Sequence, residues 1–371
     1  MSQKKILIVG PLPPPVAGPT NSFELFCEEI KTYEEFDVEI VDTSAKKLKQ
    51  KTRWISFITW KRGLRIFYHF LLKVLGREAI LIFSTDGFLI SVTPWLVIVS
   101  KVLKKRCYIR TFAGGLDEYY RRLSKPLKYI FDKTITHTDN LIVQTKNLSD
   151  FFQQIYGNKV INVPNFRKLP FDLKEKTRPP IISRDELKLI YISVIKKEKG
   201  IFHLLDGVEC LINEGYKIKC GIYGPIHEKD KVQFYKRISE VDAADYKGIV
   251  DFSEVLPTIS NYHVLVLPTY HHGEGHPGVI IEAMMVGIPV ITTDFRSIPE
   301  LVDHKHNGLL IKTNDTQSLI EAIMTIYYDR ELLIRMGENN YDRRKMFDVK
   351  EVIPNMMKEI DLISANSLNL I

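Results

Sequence analysis

Metal centres and disulfide frameworks find little support in this sequence. Its 371 residues include only four cysteines, Cys27, Cys107, Cys210 and Cys220, and no two of them form a C-x-x-C pair. That usage fits reduced core thiols in a cytosolic protein rather than bridges. No H-E-x-x-H occurs, and the spacing of His271, His272 and His276 matches no zinc motif. A membrane span is not expected either. The uncharged run Gly87–Ser100 stops at 14 residues and contains Pro94, short of the ~20 apolar residues that a bilayer-crossing helix needs. The opening MSQKKILIVG passes from a charged start straight into a strand, so no secretory signal is expected. Low-complexity tracts and internal repeats are absent, and no RRM, KH or zinc-finger pattern points to nucleic acid.

What is there is an ordinary globular composition, 45% hydrophobic and 26% charged, in a chain long enough for two sizeable cores. The net charge of +7 hides a division. Residues 1–180 hold 30 Lys and Arg against 17 Asp and Glu, a balance of +13, whereas residues 181–371 hold 22 against 28, a balance of −6. The first half is built to meet something anionic: a membrane face, a phosphate-bearing substrate or nucleic acid. Much of its charge sits in one stretch. Residues 46–77 mix ten Lys and Arg, and no acid, with Trp54, Phe57, Trp60, Phe67, Tyr68 and Phe70. One reading is an amphipathic helix lying on an anionic bilayer. The other is an ordinary sheet-covering helix with its rings in the core.

Strand-like runs recur at KKILIV, FDVEIVD, AILIFS, CYIRTF, NLIVQT and VINVP. They alternate with helical stretches, as in a doubly wound parallel sheet. The proline- and charge-rich stretch from Val163 to Glu186 breaks that rhythm and reads as a linker, after which LKLIYIS restarts it. The first strand ends in GPLPPPVAGPTNSF, with a helix cap expected near Thr20 or Asn21. This loop is not G-x-G-x-x-G, but it occupies the carboxyl edge at which open α/β sheets bind ligands. A second such loop follows the strand VLVLP. It carries Glu274, Gly275, His276, Pro277 and Gly278, leads into a short apolar helix near Val279–Val286, stops at Gly287 and continues as IPVITT. The first four N–H groups of such a helix lack intrahelical partners and favour a phosphate. Glu282 sits among Val, Ile and Ile, a costly place for a carboxylate without donors to meet it, and sugar hydroxyls are donors.

These residues resemble the EX7E signature of retaining glycosyltransferases, with Glu274 and Glu282 as its glutamates. The flanking EGxP, EAM and GIPVI elements make the chain similar to glycosyltransferase family 4. The resemblance implies the GT-B fold, an α/β chain of two doubly wound Rossmann-like domains facing each other across a cleft. It implies residues 1–165 as the acceptor-side domain, closed by the VPN of Val163–Asn165, and 166–186 as the linker. Residues 187–347 would be the nucleotide-sugar-binding domain, and 348–371 a helix returning to the first domain. Catalytic roles fall to Glu274, Glu282 and Lys199, the lysine of a KG element that reaches the donor diphosphate. Glu282 would hold ribose hydroxyls, while Glu274 and the backbone of Gly275–Gly278 would face the donor sugar or its phosphate. The donor site would also take in Gly18, Lys196, Gly200, Tyr223, Gly224, Val250, Gly275, His276, Pro277, Gly278 and Val279, with Gly248 and Val250 on a strand beside the nucleobase. Val194 replaces the arginine usual five residues before Lys199, leaving Lys196, Lys197 or neither to stand in for it. Gly114, Gly115 and Asp117 would lie on the acceptor side, where Asp117 either orients an acceptor hydroxyl or caps a helix. Ser297–Glu300 matches a PE element, and His306-Asn307-Gly308 an NG turn. No D-x-D occurs, in keeping with a site that needs neither metal nor cofactor.

The function implied is metal-independent, retaining hexosyl transfer from a UDP- or GDP-linked sugar to a cell-envelope glycan acceptor. That acceptor would be a lipid-diphosphate-linked oligosaccharide, as in O-antigen, capsule or exopolysaccharide synthesis. The departing phosphate would help deprotonate the acceptor, so no general base is named. The protein would be cytoplasmic and peripheral on the inner face of the cell membrane, held to an anionic surface by its basic first domain, with no nucleic acid partner. Two rivals stand beside this reading: a nucleotide-sugar epimerase or phosphorylase-like enzyme on the same architecture, and a non-catalytic sugar- or nucleic-acid-binding relative.

Overall fold

The computed structural model describes residues 3–15, 17–44, 57–112, 114–169 and 186–363, with the backbone alone for 57–60. The chain forms two compact units, Met1–Lys168 with Val349–Ile371, and Leu169–Asp348. Each is built on a six-stranded parallel sheet.

In the first unit the strands are β1 (Lys4–Gly10), β2 (Phe36–Asp42), β3 (Ala79–Ser84), β4 (Arg106–Thr111), β5 (Asn140–Val143) and β6 (Val160–Asn162). Their order is β2-β1-β3-β4-β5-β6, so the winding reverses between β1 and β3. Parallel sheets are covered on both faces and their central strands read as continuous apolar runs; β3, AILIFS, is buried at every position. On one face the helices Phe57–Val74, Thr93–Val102, Lys125–Thr136 and Lys146–Tyr156 send Phe70, Leu96, Phe131 and Phe152 into one core with Val9, Ile82 and Ile109. On the other, Phe23 and Phe26 of the helix Gly18–Ile30 pack on Phe83 at 4.9 and 4.7 Å between ring centroids, and that helix meets the C-terminal helix Val349–Glu359.

Residues 57–74 therefore do cover the sheet, with Phe70 fully buried and Phe67 packed against the core, yet Tyr68 is 59% exposed. Residues 46–56, including Trp54, lie outside the described residues, as do the side chains of Phe57 and Trp60. The first helix starts at Gly18 rather than at a Thr20 or Asn21 cap. Pro19 suits the first turn, where its fixed φ is already helical, and Thr20 sits inside it, accepting from the Ala17 N–H at 2.9 Å.

A buried arginine ties the ends of this unit together. Arg110, 2% exposed, donates to the Pro164 carbonyl at 2.9 Å and contacts the Met356 sulfur at 3.4 Å, with its guanidinium 5.2 Å from the Phe166 ring centroid. Burial pushes its pKa down to about 9. Beside it the Tyr108 hydroxyl donates to the Ile360 carbonyl at 2.9 Å, and the Val349 N–H donates to the Arg167 carbonyl at 2.8 Å. Of the stretch expected as linker, Phe166 and Arg167 are thus buried in the first unit, and 170–185 lie outside the described residues.

The second unit contains β7 (Leu187–Ile192), β8 (Ile218–Tyr223), β9 (Ala244–Tyr246), β10 (Val264–Leu267), β11 (Val290–Thr293) and β12 (Gly308–Ile311), in the order β12-β11-β10-β7-β8-β9. Gly248 and Val250 do not lie on a strand. Gly248 has φ +84°, outside the extended region, and β9 ends before it. The NG turn is structural: Asn307 is fully buried, donates to the Leu301 carbonyl at 3.0 Å and to Asn340 Oδ1 at 2.9 Å.

The C-terminal helix completes the first unit's core, and Ile353 in it is fully buried. Ile353→Ala should lower unfolding stability by about 2–5 kcal/mol in a urea titration; an unchanged midpoint would contradict this packing.

Candidate active site

The sheet order of the second unit explains why two distant residues meet. After β9 the chain returns to pair β10 with β7, so the loops leaving the carboxyl ends of these neighbouring strands lie side by side. Such a reversal is where open α/β sheets form ligand crevices. One loop ends in Lys199 and Gly200, where the helix Ile201–Asn213 begins; the other carries Thr269 to Pro277 into the helix Gly278–Met285. The Tyr270 N–H donates to the Glu198 carbonyl at 2.8 Å and zips the loops together. Gly200, at φ +78°, has no room for a side chain, since a Cβ there would stand 2.0 Å from the Pro268 carbonyl oxygen.

Within this seam the Lys199 ammonium bonds Glu274 Oε1, and the Thr269 hydroxyl donates to the same oxygen at 2.8 Å. Glu274 is only 5% exposed. A carboxylate that dry requires a cation and donors, and both of these fall on Oε1. Glu282 is likewise buried, one turn inside the helix Gly278–Met285, whose Ile280 to Met285 are all buried. Both helices follow strands of a parallel sheet, so their N-termini lie at the same carboxyl edge as Lys199, and their amides and dipoles favour an anion there. Gly273 to Gly278 also spell G-x-G-x-x-G between strand and helix, a phosphate-loop spacing that the two glutamates overshadow.

Neighbouring loops extend the edge. Gly224, at φ +126°, would place a Cβ 2.0 Å from the Ser193 carbonyl oxygen, and its N–H donates to the Gly248 carbonyl at 2.8 Å. His276 Nε2 lies 3.0 Å from Glu300 Oε2, joining the loop to Ser297–Glu300. Burial, and then the charge of Lys199, lower the His271 pKa and favour its neutral imidazole. Lys196 pairs with Glu198 at 3.1 Å. The Tyr223 hydroxyl turns to that of Tyr262 at 2.9 Å, in a separate hollow of about 330 Å³ that Lys188, Lys219 and Asp245 also line. Among the described residues, no group of three or more His, Cys, Asp or Glu is placed to hold a metal ion.

The first unit has its own carboxyl edge. Gly18 opens the helix after β1, and a Cβ on it would meet nothing within 4 Å. Gly114 and Gly115 follow β4. Gly115, not Asp117, precedes the helix Leu116–Arg122, and Asp117 stands in its first turn. One residue there went unnoticed in the sequence. Asp86 follows β3, its Oδ1 is buried without a hydrogen-bond partner, and burial raises its pKa to about 6. A single acid two residues past β3 carries no pattern in the sequence that would have marked it.

Residues 174–343 match the model of the family described as Glycosyl transferases group 1. Solved structures align over nearly the whole chain. Sucrose-phosphate synthase from Thermosynechococcus elongatus aligns at TM-score 0.74 and 16% identity, covering 96% of this chain and 98% of that one. Anabaena HepE in complex with UDP aligns at 0.74 and 12%, covering 97% and 100%. The fold is GT-B. Among curated proteins, the GT-B chain is 25% identical over 327 residues, 83% of this chain and 84% of the relative, to the capsular polysaccharide biosynthesis glycosyltransferase CapM of Staphylococcus aureus. It is 25% identical over 114 residues, 31% of this chain and 30% of the relative, to the N,N'-diacetylbacillosaminyl-diphospho-undecaprenol alpha-1,3-N-acetylgalactosaminyltransferase of Campylobacter jejuni. The family match and these relatives support a cell-envelope polysaccharide glycosyltransferase on the GT-B fold.

Two measurements check this geometry. Gly200→Ala should cost at least about 2 kcal/mol in urea unfolding, from backbone strain and the clash with Pro268. For Asp86, a folded pKa of about 6 against about 3.9 unfolded disfavours the charged folded form. Native stability should then fall as pH rises from about 4 to 6, by about 3 kcal/mol. Asp86→Asn should therefore match the wild type near pH 4 and exceed it above pH 7. A pH-independent difference would place Asp86 in water.

Proposed function

We propose that this protein is a retaining, metal-independent glycosyltransferase of family 4. It moves a hexose from a UDP- or GDP-linked sugar to a lipid-diphosphate-linked oligosaccharide of the cell envelope, at the cytoplasmic face of the membrane. The observation that carries this reading is the seam between β7 and β10, where Lys199, Glu274 and two helix N-termini share one edge and Glu282 lies one turn inside. The lysine and the helix amides suit a leaving diphosphate, relieving its charge in a site that excludes water. Glu274, held at Oε1, has its other oxygen for the donor sugar. Glu282, buried near the same edge, suits ribose hydroxyls, which donate to carboxylates. The names of the Staphylococcus and Campylobacter relatives support a capsule-type product and a lipid diphosphate acceptor, and the UDP in the HepE structure supports a nucleotide-linked donor. Asp86, with Gly114, Gly115 and Asp117, suits acceptor hydroxyls on the first unit.

Glu282→Gln and Lys199→Ala should each lower transfer at least about 100-fold, with the melting temperature of Glu282→Gln little changed. Transfer at the wild-type rate by either variant would remove the assignment. UDP or GDP at 100 times its dissociation constant should stabilise the wild type by about 2.7 kcal/mol. Sugar isomerisation without an acceptor would point to an epimerase instead.

A further inference from the structure

The hollow beside β8 lies apart from the seam that joins Lys199 to Glu274. Lys188 of β7 pairs in register with Lys219 of β8, and Gly221 with Asp245 of β9. Side chains alternate between the two faces of a sheet, so these four share one face with Tyr223 and Lys247. Parallel sheets are ordinarily covered by helices on both faces. Here the cover is the helix Val255–Ser260, only six residues long, and it leaves a hollow of about 330 Å³ that Thr258 and Asn261 border. That volume lies at the lower end of small-ligand pockets, which run from ~300 to ~1,000 Å³. Lys188 and Lys219 are each the second residue of their strands, so the hollow extends to the amino half of the sheet, away from the carboxyl edge.

Its floor is Gly221. A Cβ there would stand 2.1 Å from the Tyr262 hydroxyl oxygen, so the glycine admits that phenol onto the strand, a close approach that glycines inside strands often mark. Tyr223 turns its hydroxyl back to the same place, 2.9 Å from that of Tyr262. One hydroxyl donates within this pair, and the proton of the other is left for a ligand. Burial, and then the bond with Tyr223, raise the Tyr262 pKa, so this phenol keeps its proton. Asn261 spends one amide N–H on the Pro257 carbonyl at 2.9 Å and has another to give.

Charge narrows the ligand class. Lys219 pairs with Glu186 at 3.1 Å and Lys247 with Asp245 at 2.9 Å; among the described residues the Lys188 ammonium pairs with no acid. The buried His263, whose Nδ1 accepts from the Lys188 N–H at 3.1 Å, reports the same field. Its pKa is pushed down to about 4 by burial and then by the charges of Arg330 and Lys188, which outweigh Glu186. An unpaired ammonium in a positive field favours an anion. A bare oxoanion would leave the tyrosine rings, the spare hydroxyl proton, Asn261 and the Asp245 carboxylate unused. Sugar hydroxyls engage such a mixture of donors and acceptors.

We propose that this hollow is a second binding site, for an anionic saccharide unit whose carboxylate or phosphate meets Lys188 and whose hydroxyls meet the tyrosine pair, Asn261 and Asp245. The unit is either a free acidic sugar or one residue of an acidic glycan. The site does not depend on the donor assignment.

Calorimetry and saturation-transfer NMR with methyl glucuronoside, glucose 1-phosphate, methyl glucoside and inorganic phosphate test it. The two acidic sugars should bind about tenfold more tightly than either the neutral sugar or phosphate alone, and should still bind with UDP and GDP in excess. Lys188→Glu, at an exposed ammonium, should weaken them at least tenfold with an unchanged melting temperature. Tyr262→Phe should weaken them about threefold to tenfold. A hyaluronan tetrasaccharide decides the source: tighter binding than the monosaccharides assigns the site to a glycan chain, weaker binding to a free sugar, and each supports the site. Absence of binding by the wild type, wild-type affinity in Lys188→Glu, or phosphate binding as tightly as the acidic sugars would each overturn the proposal. So would displacement by UDP or GDP, which would place the sugar at the donor edge. If neither nucleotide binds at all, the donor reading fails while binding that Lys188→Glu weakens leaves this site standing.

Discussion

The contact between Lys199 and Glu274 is the constraint around which the second unit is arranged. It brings together residues 75 apart in sequence in a nearly dry seam, where a lone charge of either sign would be expensive. Everything nearby serves to keep the two loops in register. Gly200 admits the Pro268 carbonyl, the Tyr270 amide bonds the neighbouring loop, and Thr269 shares the Glu274 oxygen that the lysine holds. The reversal of strand order creates this seam. A continuous winding would have put another strand between β7 and β10 and separated the two side chains by a strand's width.

Net charge is a poor guide to such a site. The second half of the chain is acidic by −6, yet its carboxyl edge is suited to an anion. A lysine and two oriented helix ends create a local field that the summed charge does not report. The basic first half shows the converse. Its excess of +13 is a sum over the sequence and does not by itself locate a site.

Much of this was legible in the sequence. The apolar runs announced the strands because buried parallel strands must be continuously hydrophobic, and β3 and β7 lie where AILIFS and LKLIYI predict. Lys199 and Glu274 were nominated as partners of one site from a family resemblance, and the structure joins them. Boundaries were less legible. The helix at Gly18 begins before any classical capping side chain because proline supports its first turn, and β9 stops short of Val250 because Gly248 leaves the extended region. Asp86 escaped notice because a single acid after a strand carries no pattern; only its burial distinguishes it.

The clasp at Arg110 has a consequence for how the chain matures. Its guanidinium joins the segment that leaves the first unit, at Pro164, to the helix that returns after Asp348, at Met356. In ribosomal synthesis, the amino-terminal sheet is therefore made early but cannot be sealed until some two hundred further residues have emerged. The later unit, an uninterrupted segment, is able to fold meanwhile. The molecule should thus mature from its middle outward, and a nascent chain stalled before Val349 would hold a finished second unit while the first stays open and aggregation-prone.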